Sequence, residues 1–410
     1  DMGHTLTSHV GRKVLCVFGQ YNYGNAERGE GYEYSNFLPA FRDLGCVVEF
    51  FDSFSKALYK DFEDLNRRLL DAVECFRPEI VFVVPMNCEI WLETLALIRK
   101  AGPKVVFWGA DDSWRYEQLT RFFVPEIDIW ITTSNEALKK GQEEGVRNMM
   151  LSQWAARGAQ LQMPLPAKDC RYQVSFIGSN YGNRSQWIGK LREAGIAVDC
   201  FGFGWPNGPV TTDEISRIIR ESILSLNFGD SGVQLRGTSL YRSRQIKARV
   251  FEVTGAGGCL LTEQVDELDA YLTPGCEIEV FCGIEDLVNK VRYLLSHPEC
   301  RDAIAFAGFK KTRDVHTYEN RFIEVLSKVA PSDCGKVEAQ VFNAVAQGHS
   351  LGMFLRAFRM IFVFPFQLIL GGERGIRVAR RILYELSWRV FGRKTYMASG
   401  WVGRLFYKDC

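Results

Sequence analysis

The apolar positions of the first 151 residues form short runs, and an amphipathic stretch of helical length follows most of them. The runs have strand length and the stretches between them have a helical period. Strict alternation of this kind predicts a doubly wound parallel sheet. The predicted strands are 13–18, 46–51, 80–85, 104–109, 127–132 and 149–151. The first predicted helix follows the polar segment 19–34 and ends at about Leu44, and the others are 61–76, 89–101, 114–123 and 135–144.

The alternation stops at 152–169, where Pro164 and Pro166 indicate a linker, and a second alternating set follows. We therefore predict a Rossmann-like domain at 1–151, the linker at 152–169 and a second Rossmann-like domain at 170–330. Segment 227–244 is polar and predicts an irregular, flexible loop. The second set has predicted strands at 174–178, 198–202, 223–227, 259–262 and 277–281, and predicted helices at 185–193, 213–219, 245–254, 284–295, 299–316 and 317–329.

The pattern changes again in the extension 331–410. Within 351–410 there are eleven lysine and arginine residues against three acidic ones, so the tail carries +8 while the rest of the chain carries −7. Aromatic residues are interleaved with these charges, and the apolar run 360–370 is too short by itself to span a bilayer. A basic amphipathic extension lying on a membrane surface is predicted, and the alternative is an appendage that packs on the domains or forms a dimer interface.

Composition narrows the class of protein. The chain has 410 residues, 47% of them hydrophobic, and a net charge of +1, which is typical of a globular protein and gives no reason to expect a nucleic-acid partner. Its twelve cysteines lie singly and the first ten residues are polar, so we expect reduced thiols in the cytoplasm. There is no HExxH or Asp-x-Asp pattern, and no metal or other cofactor is expected.

The stretch QIKARVFEVTGAGGCLLTE, 245–263, predicts a short helix, a glycine turn and a buried strand. Arg249 and Glu252 are three residues apart near the helix N-terminus, where backbone N–H groups favour anions. There an arginine can bind a phosphate and a carboxylate can accept sugar hydroxyls. We expect Arg244 and Lys247, just upstream, to contact the same ligand. The alternative is a solvated helix pair.

A second anion-binding turn is predicted at SFIGSNYGNR, where Gly178, Asn183 and Arg184 follow a strand. Small residues allow a diphosphate to approach the backbone, and Arg184 would neutralise it. An ordinary strand-to-helix turn is the alternative.

In the first domain, Asp111 and Asp112 follow the strand 104–109 and are candidates for a general base. The alternative is that they cap the next helix, with the base at Glu27, Glu30 or Glu33.

The polar loop after the first strand contains Gly29, Gly31 and Tyr32. We predict that it binds the acceptor, and the alternative is an ordinary surface loop.

Several of these segments carry a family resemblance. Five segments together resemble GT-B glycosyltransferases of the CgeB-like (spore-maturation), group 1 branch, and the resemblance lies more in the order of the motifs than in any one of them. The segments are RVFEVTGAGGCLLTE, FIGSNYGNR, AFAGFKKTRDVHTYENRF, GEGYEYSNF and WGADDSWRY. The resemblance covers about residues 12–330. It implies two Rossmann-like domains facing a cleft, with the donor nucleotide sugar bound by the second domain and the acceptor by the first. Related retaining enzymes have two glutamates eight positions apart, and here Glu252 matches the second whereas Arg244 stands at the first.

The function expected from these features is metal-independent hexosyl transfer from a nucleotide sugar to a hydroxyl of a glycan or lipid-linked sugar, in cell-surface polysaccharide biosynthesis. The expected location is the cytoplasm, peripheral to the inner face of the cell membrane. Two alternatives stay open at this point: a GT-B-like sugar-nucleotide epimerase and a non-catalytic sugar-binding module.

Overall fold

The computed structural model describes residues 9–236, 239–338 and 352–407, without the side chains of 232–236. The polar start of the chain, Lys408, Asp409 and part of the predicted extension lie outside these ranges. The chain forms two compact units, Asp1–Ser152 with Leu326–Cys410, and Gln153–Val325. The extension therefore belongs to the unit that contains the first sheet.

The first unit contains a six-stranded sheet in the order β2-β1-β3-β4-β5-β6, and every pairing is parallel. The doubly wound prediction is confirmed, and three strands match it residue for residue. Chain order reverses at β1, which has β2 on one side and β3 on the other, so a crevice opens beyond the carboxyl ends of β1 and β3. The strands are β1 Lys13–Phe18, β2 Val47–Asp52, β3 Ile80–Val83, β4 Lys104–Gly109, β5 Ile129–Thr132 and β6 Met149–Leu151.

The helices of this part cover the sheet with apolar faces, as in Phe62–Phe76, where seven of the fifteen residues are buried. The predicted helix 114–123 is composite, because a π-helical segment, Tyr116–Thr120, separates two short α-helical segments. The helices are α1 Tyr32–Asp43, α2 Phe62–Phe76, α3 Leu92–Lys100, α4 Asp112–Arg115, α5 Arg121–Phe123 and α6 Asn135–Glu143.

The second unit has a five-stranded parallel sheet in the order β13-β12-β9-β7-β8, again with a reversal, here between β7 and β9. The strands are β7 Tyr172–Ile177, β8 Val198–Phe201, β9 Ser222–Asn227, β12 Leu260–Glu263 and β13 Glu279–Phe281, and the helices are α7 Arg184–Glu193, α8 Thr212–Arg220, α9 Ala248–Gly255, α10 Ile284–Ser296, α11 Pro298–Val315 and α12 Tyr318–Lys328.

Segment 227–244 is not an irregular loop, so that prediction was wrong. It forms an antiparallel hairpin of β10, Asp230–Arg236, and β11, Ser239–Arg244. The strands pair with each other and with no other described strand. Their polar residues lack apolar alternation because the hairpin stands apart from the core.

The extension contains α13, Met353–Leu370, α14, Gly372–Phe391, and α15, Trp401–Leu405. The apolar run 360–370 is only part of a longer helix of 18 residues, Met353–Leu370, and this whole helix is long and apolar enough to cross a membrane by length and composition. Further along, Tyr396, Ala398 and Tyr407 are buried in the core of the first unit. The C-terminal end of the extension thus packs on the first unit, which is the alternative to a membrane-bound tail given in the sequence analysis.

Candidate functional site

Arg184 begins α7 directly after the loop that leaves β7, and its side chain is folded inward. The guanidinium donates to the Ser179 carbonyl at 2.7 Å and to the Tyr181 hydroxyl at 2.9 Å, and it lies 3.9 Å from the centre of the Tyr181 ring. Burial lowers the pKa of Arg184, while Tyr181 and the carboxylates of Asp230 and Glu263 oppose that shift. Its Nε has no hydrogen-bond partner among the described residues. A buried, incompletely satisfied arginine at this edge of the sheet is suited to an anionic ligand.

Two buried carboxylates face this arginine from the neighbouring strands. Asp230 follows β9 and forms an ion pair with Arg242. Glu263 ends β12, accepts the Gly229 N–H at 3.0 Å and lies 3.1 Å from Nε of Arg244. Both carboxylates are less than a tenth exposed. Neither carboxylate was predicted from the sequence, because only the strand order β12-β9-β7 places their strand ends beside Arg184.

The start of α9 adds the predicted pair. Nη1 of Arg249 lies 2.8 Å from Oε2 of Glu252, and the two side chains are 20% and 13% exposed. These exposed fractions are lower than expected for a freely solvated helix pair, so the solvated alternative is not supported. The positive charge of Arg249 also contributes to lowering the pKa of Arg184, behind desolvation, so the two guanidiniums lie in one electrostatic site. Lys247 is the residue before α9 and is half-buried.

The loop between β7 and α7 is tightly fixed. A side chain at Gly182, whose φ is +64°, would lie 2.6 Å from a carboxylate oxygen of Asp230. The N–H of Gly178 already donates to the Phe201 carbonyl at 2.9 Å, and its own carbonyl accepts from the Trp205 indole at 2.8 Å. Gly178 therefore supports the loop, and its N–H is not available to a phosphate. Asn183 precedes α7 without a side-chain capping bond.

The first unit has its own cavity, of about 260 Å³, at the crevice beyond β1, β3 and β4. Gly31, Tyr32, Asp111 and Asp112 line it, and so does Glu33. Gly29 is not among its lining residues. Gly31 holds the loop close to the sheet, because its N–H donates to the Gln20 carbonyl at 2.7 Å.

The two aspartates have different environments. Asp112 is 3% exposed, and its oxygens accept from the Thr120 hydroxyl at 2.5 Å and the Trp130 indole at 2.8 Å. Burial raises the pKa of Asp112 and these hydrogen bonds oppose the increase. Because both oxygens are engaged, Asp112 is suited to a supporting role. Asp111 is half-exposed and makes no side-chain capping bond to α4, so the capping alternative has no geometric support at this residue.

Glu33 is the strongest candidate base in the cavity. Burial raises its pKa to about 7, and the Asp111 carboxylate contributes in the same direction. A carboxyl group with this pKa is partly ionised near neutral pH, as a general base must be. Glu27 and Glu30, the other fallback positions, are exposed and do not line the cavity. No group of three His, Cys, Asp or Glu side chains positioned to hold a metal ion is present in the described part of the chain.

Comparisons with known proteins agree with this picture at the level of fold. Residues 184–327 match a family described as "Glycosyl transferase-like". No curated protein matches the sequence. Sucrose-phosphate synthase from Thermosynechococcus elongatus superposes with a TM-score of 0.52 at 10% identity, over 81% of this chain and 100% of its own. Anabaena HepE in complex with UDP and glucose gives 0.52 at 10% identity, over 77% and 100%. The HepE complex with UDP-glucose gives 0.52 at 12% identity, over 77% and 99%.

The matched family segment begins at Arg184 and contains the other candidate donor-site residues from Asp230 to Glu263. The CgeB-like branch is not among these matches, so that finer assignment stays a prediction. The chain thus has the GT-B fold, two parallel-sheet α/β domains with a helical C-terminal part, and its second domain is similar to glycosyl transferase-like proteins.

Proposed function

We propose that this protein is a glycosyltransferase that moves a sugar from a nucleotide-sugar donor to a hydroxyl acceptor. The observation that carries the proposal is the buried charged site of the second unit, where Arg184 and Arg249 lie with Asp230, Glu252 and Glu263 beyond the carboxyl ends of three parallel strands. Two arginines match the charge of a diphosphate, and a carboxylate can accept a pair of ribose or sugar hydroxyls. The match of this unit to a glycosyl transferase-like family supports the same assignment.

The leaving diphosphate would be stabilised by these arginines and by the N-terminus of α9, without a metal ion. Arg244 is already paired with Glu263, so we assign it to holding that carboxylate, with Lys247 nearer the start of α9. We propose UDP-hexose as the donor class, since structural neighbours are described in complex with UDP, glucose and UDP-glucose.

The cavity of the first unit is proposed as the acceptor site. Glu33, assisted by Asp111, would take the proton from the acceptor hydroxyl, because its pKa lies near neutral pH. A glycan or lipid-linked sugar at the cytoplasmic face of the membrane is the acceptor that we propose, with a role in cell-surface polysaccharide synthesis. The exposed apolar helix α13 supports placement at a membrane.

The first test measures donor binding by titration calorimetry with UDP-glucose. Replacing Arg249→Ala or Glu252→Ala should weaken binding by roughly 1.5–3 kcal/mol, the usual loss for a charge-assisted contact, with an unchanged melting temperature. Lys190 and Glu193 provide matched controls, since they form an exposed i,i+3 pair at 2.8 Å in the same unit. Lys190→Ala and Glu193→Ala should leave affinity unchanged. Equal affinities in all four variants would remove the site assignment.

Product analysis separates the proposed transfer from its alternatives. Nucleotide release that depends on an added acceptor supports transfer. An isomerised nucleotide sugar formed from donor alone would identify an epimerase. Donor binding with no turnover under any acceptor would identify a binding module.

A further inference from the structure

Helices α13 and α14 form a hairpin with an unusually apolar surface. Only Val363 of the eighteen residues of α13 is buried. On α14, Val378, Ile382, Leu386 and Val390 recur every four residues and form an exposed stripe along the helix. Contiguous apolar surface of this kind marks an interaction site. The exposed apolar residues of α13 are Met353, Phe354, Met360, Ile361, Phe364, Leu368, Ile369 and Leu370.

The two helices are firmly packed side by side. The chain reverses at Gly371, whose φ is +84°, and a side chain at Gly375 would lie 2.5 Å from the backbone of Gln367. Eight residues from the turn on each side, Val363 and Ala379 lie in one apolar cluster. The two helices are therefore antiparallel, and α14 runs alongside α13 for at least two turns on either side of Gly371.

The hairpin is also fixed to the first unit. The Tyr384 hydroxyl of α14 donates to the Gln118 carbonyl at 3.5 Å, and the Ser387 hydroxyl is hydrogen-bonded at 2.9 Å to that of Thr395, in the buried segment that follows α14. Arg393 forms an ion pair with Glu126. The exposed apolar surface is consequently presented by a structured body and is not a loose tail.

Charge indicates what covers this surface. Exposed arginines Arg374, Arg377, Arg381 and Arg389 run along α14, and Arg356 lies on α13. The chain outside 351–410 carries −7. Arginines beside exposed apolar residues match a bilayer with anionic headgroups, while the acidic remainder of the chain would be repelled from the same bilayer. The hairpin would thus be the part that makes contact.

Geometry decides between crossing the bilayer and lying in it. At 1.5 Å per residue, α13 is about 27 Å long, close to the hydrocarbon thickness. If it crossed, α14 packed along it would carry its charged residues into the hydrocarbon, which is strongly unfavourable. These residues are Glu373, Arg374, Arg377, Arg380, Arg381, Glu385 and Arg389.

We infer that the α13–α14 hairpin is a monotopic docking surface for an anionic lipid bilayer, with α13 lying in the plane of the interface and not crossing it. This extends the proposed membrane placement and does not require sugar transfer, so the two can fail separately.

Vesicle flotation of the full chain tests docking. The protein should float with vesicles of phosphatidylglycerol and phosphatidylcholine at low salt, and less with phosphatidylcholine alone or at high salt. Phe364→Ser with Leu368→Ser, or Arg377→Gln with Arg381→Gln, should lower partitioning about tenfold or more. Phe306→Ser and Arg313→Gln, at exposed positions of α11, are the matched controls and should bind like the original chain.

Labelling tests the in-plane orientation. Met353→Cys and Gly372→Cys stand near the two ends of α13, and peptide mass spectrometry distinguishes them from the native cysteines. A membrane-impermeant maleimide added outside the vesicles should modify both positions. Protection of one end only would show a crossing helix and overturn the in-plane inference.

Absence of flotation on anionic vesicles at low salt overturns the proposal outright. A concentration-dependent dimer that the Phe364/Leu368 variant abolishes, with no effect of lipid, would assign the surface to a second copy of this chain and likewise overturn it. Turnover with a soluble acceptor is measured on the same variants and should be unchanged, which keeps this test separate from that of the proposed function.

Discussion

The carboxyl group of Glu33 is half-buried at the wall of the cavity and has a neighbour of the same charge, Asp111. Its pKa is raised from 4.5 to about 7, so between these pH values the folded chain keeps a proton that the unfolded chain loses. Stability is therefore lost as pH rises from about 4.5 to 7, and the penalty is constant above that range. Retaining such a group at a cavity is typical of a site where function opposes stability.

Replacement of Glu33→Gln should remove this penalty. At pH 8 the variant should be more stable than the original chain by about 1–3 kcal/mol, with little difference at pH 4.5, in urea denaturation at each pH. Turnover should fall by about 10²–10⁴-fold, and that of the original chain should increase as pH passes through 7. Glu27→Gln, at an exposed position, is the control. An unchanged turnover in Glu33→Gln would exclude it as the base.

Substitutions at the adjacent residues Asp111 and Asp112 should have different effects on melting temperature and turnover. Asp112→Asn disturbs hydrogen bonds from Thr120 and Trp130 in a buried place, and should cost about 1–3 kcal/mol of stability, seen as a lower melting temperature. Asp111→Asn should melt normally and lose turnover. If Asp112→Asn melts normally while its turnover falls, a direct catalytic role for Asp112 would be supported instead.

At the scale of elements, local pattern was enough to find the parallel strands. β1 and β4 were predicted to the residue because continuous apolar runs bounded by polar segments identify buried strands. The edge strand β6 was also predicted to the residue, whereas the fully buried β3 ends two residues before its predicted end. The β10–β11 hairpin was missed because SLYRSR is mostly exposed and has no apolar face to reveal it. α13 continues through Pro365, although a proline inside a helix removes a backbone hydrogen bond and usually disfavours the helix.

The candidate donor site could likewise be predicted only in part from local sequence pattern. Arg184, Arg249 and Glu252 were identified from their positions at the starts of helices. Asp230 and Glu263 were not, because their relation to Arg184 depends on which strands are neighbours, and alternation of strands and helices does not determine strand order. The missed signal was a carboxylate at or shortly after the carboxyl end of each of two buried strands of one sheet, Glu263 ending β12 and Asp230 three residues beyond β9.

At the scale of the whole molecule, the C-terminal extension contributes side chains to the hydrophobic core of the N-terminal sheet domain. Tyr396 and Tyr407 are buried against the first sheet's helices, and the Tyr407 hydroxyl donates to the carbonyls of Lys56 and Tyr59 at 2.8 and 2.9 Å. The Ala398 N–H donates to the Glu93 carboxylate at 3.1 Å. Segment-by-segment prediction treats the extension as separate because these contacts join residues 305 to 351 positions apart.

Truncation after residue 351 should therefore unfold the first unit while sparing the second. Losing Tyr396 alone removes a buried aromatic side chain, a change that typically costs about 3–5 kcal/mol. Calorimetry should show the transition of Gln153–Val325 retained and that of the first unit lost or strongly lowered. Tyr396→Ala should lower the same transition, whereas Tyr293→Ala, at an exposed position in the second unit, should not. Two unchanged transitions in the truncated chain would mean that the extension is dispensable for folding. Because we expect the opposite, membrane binding by the α13–α14 hairpin must be tested with point variants of the full chain, since truncation would confound loss of binding with loss of fold.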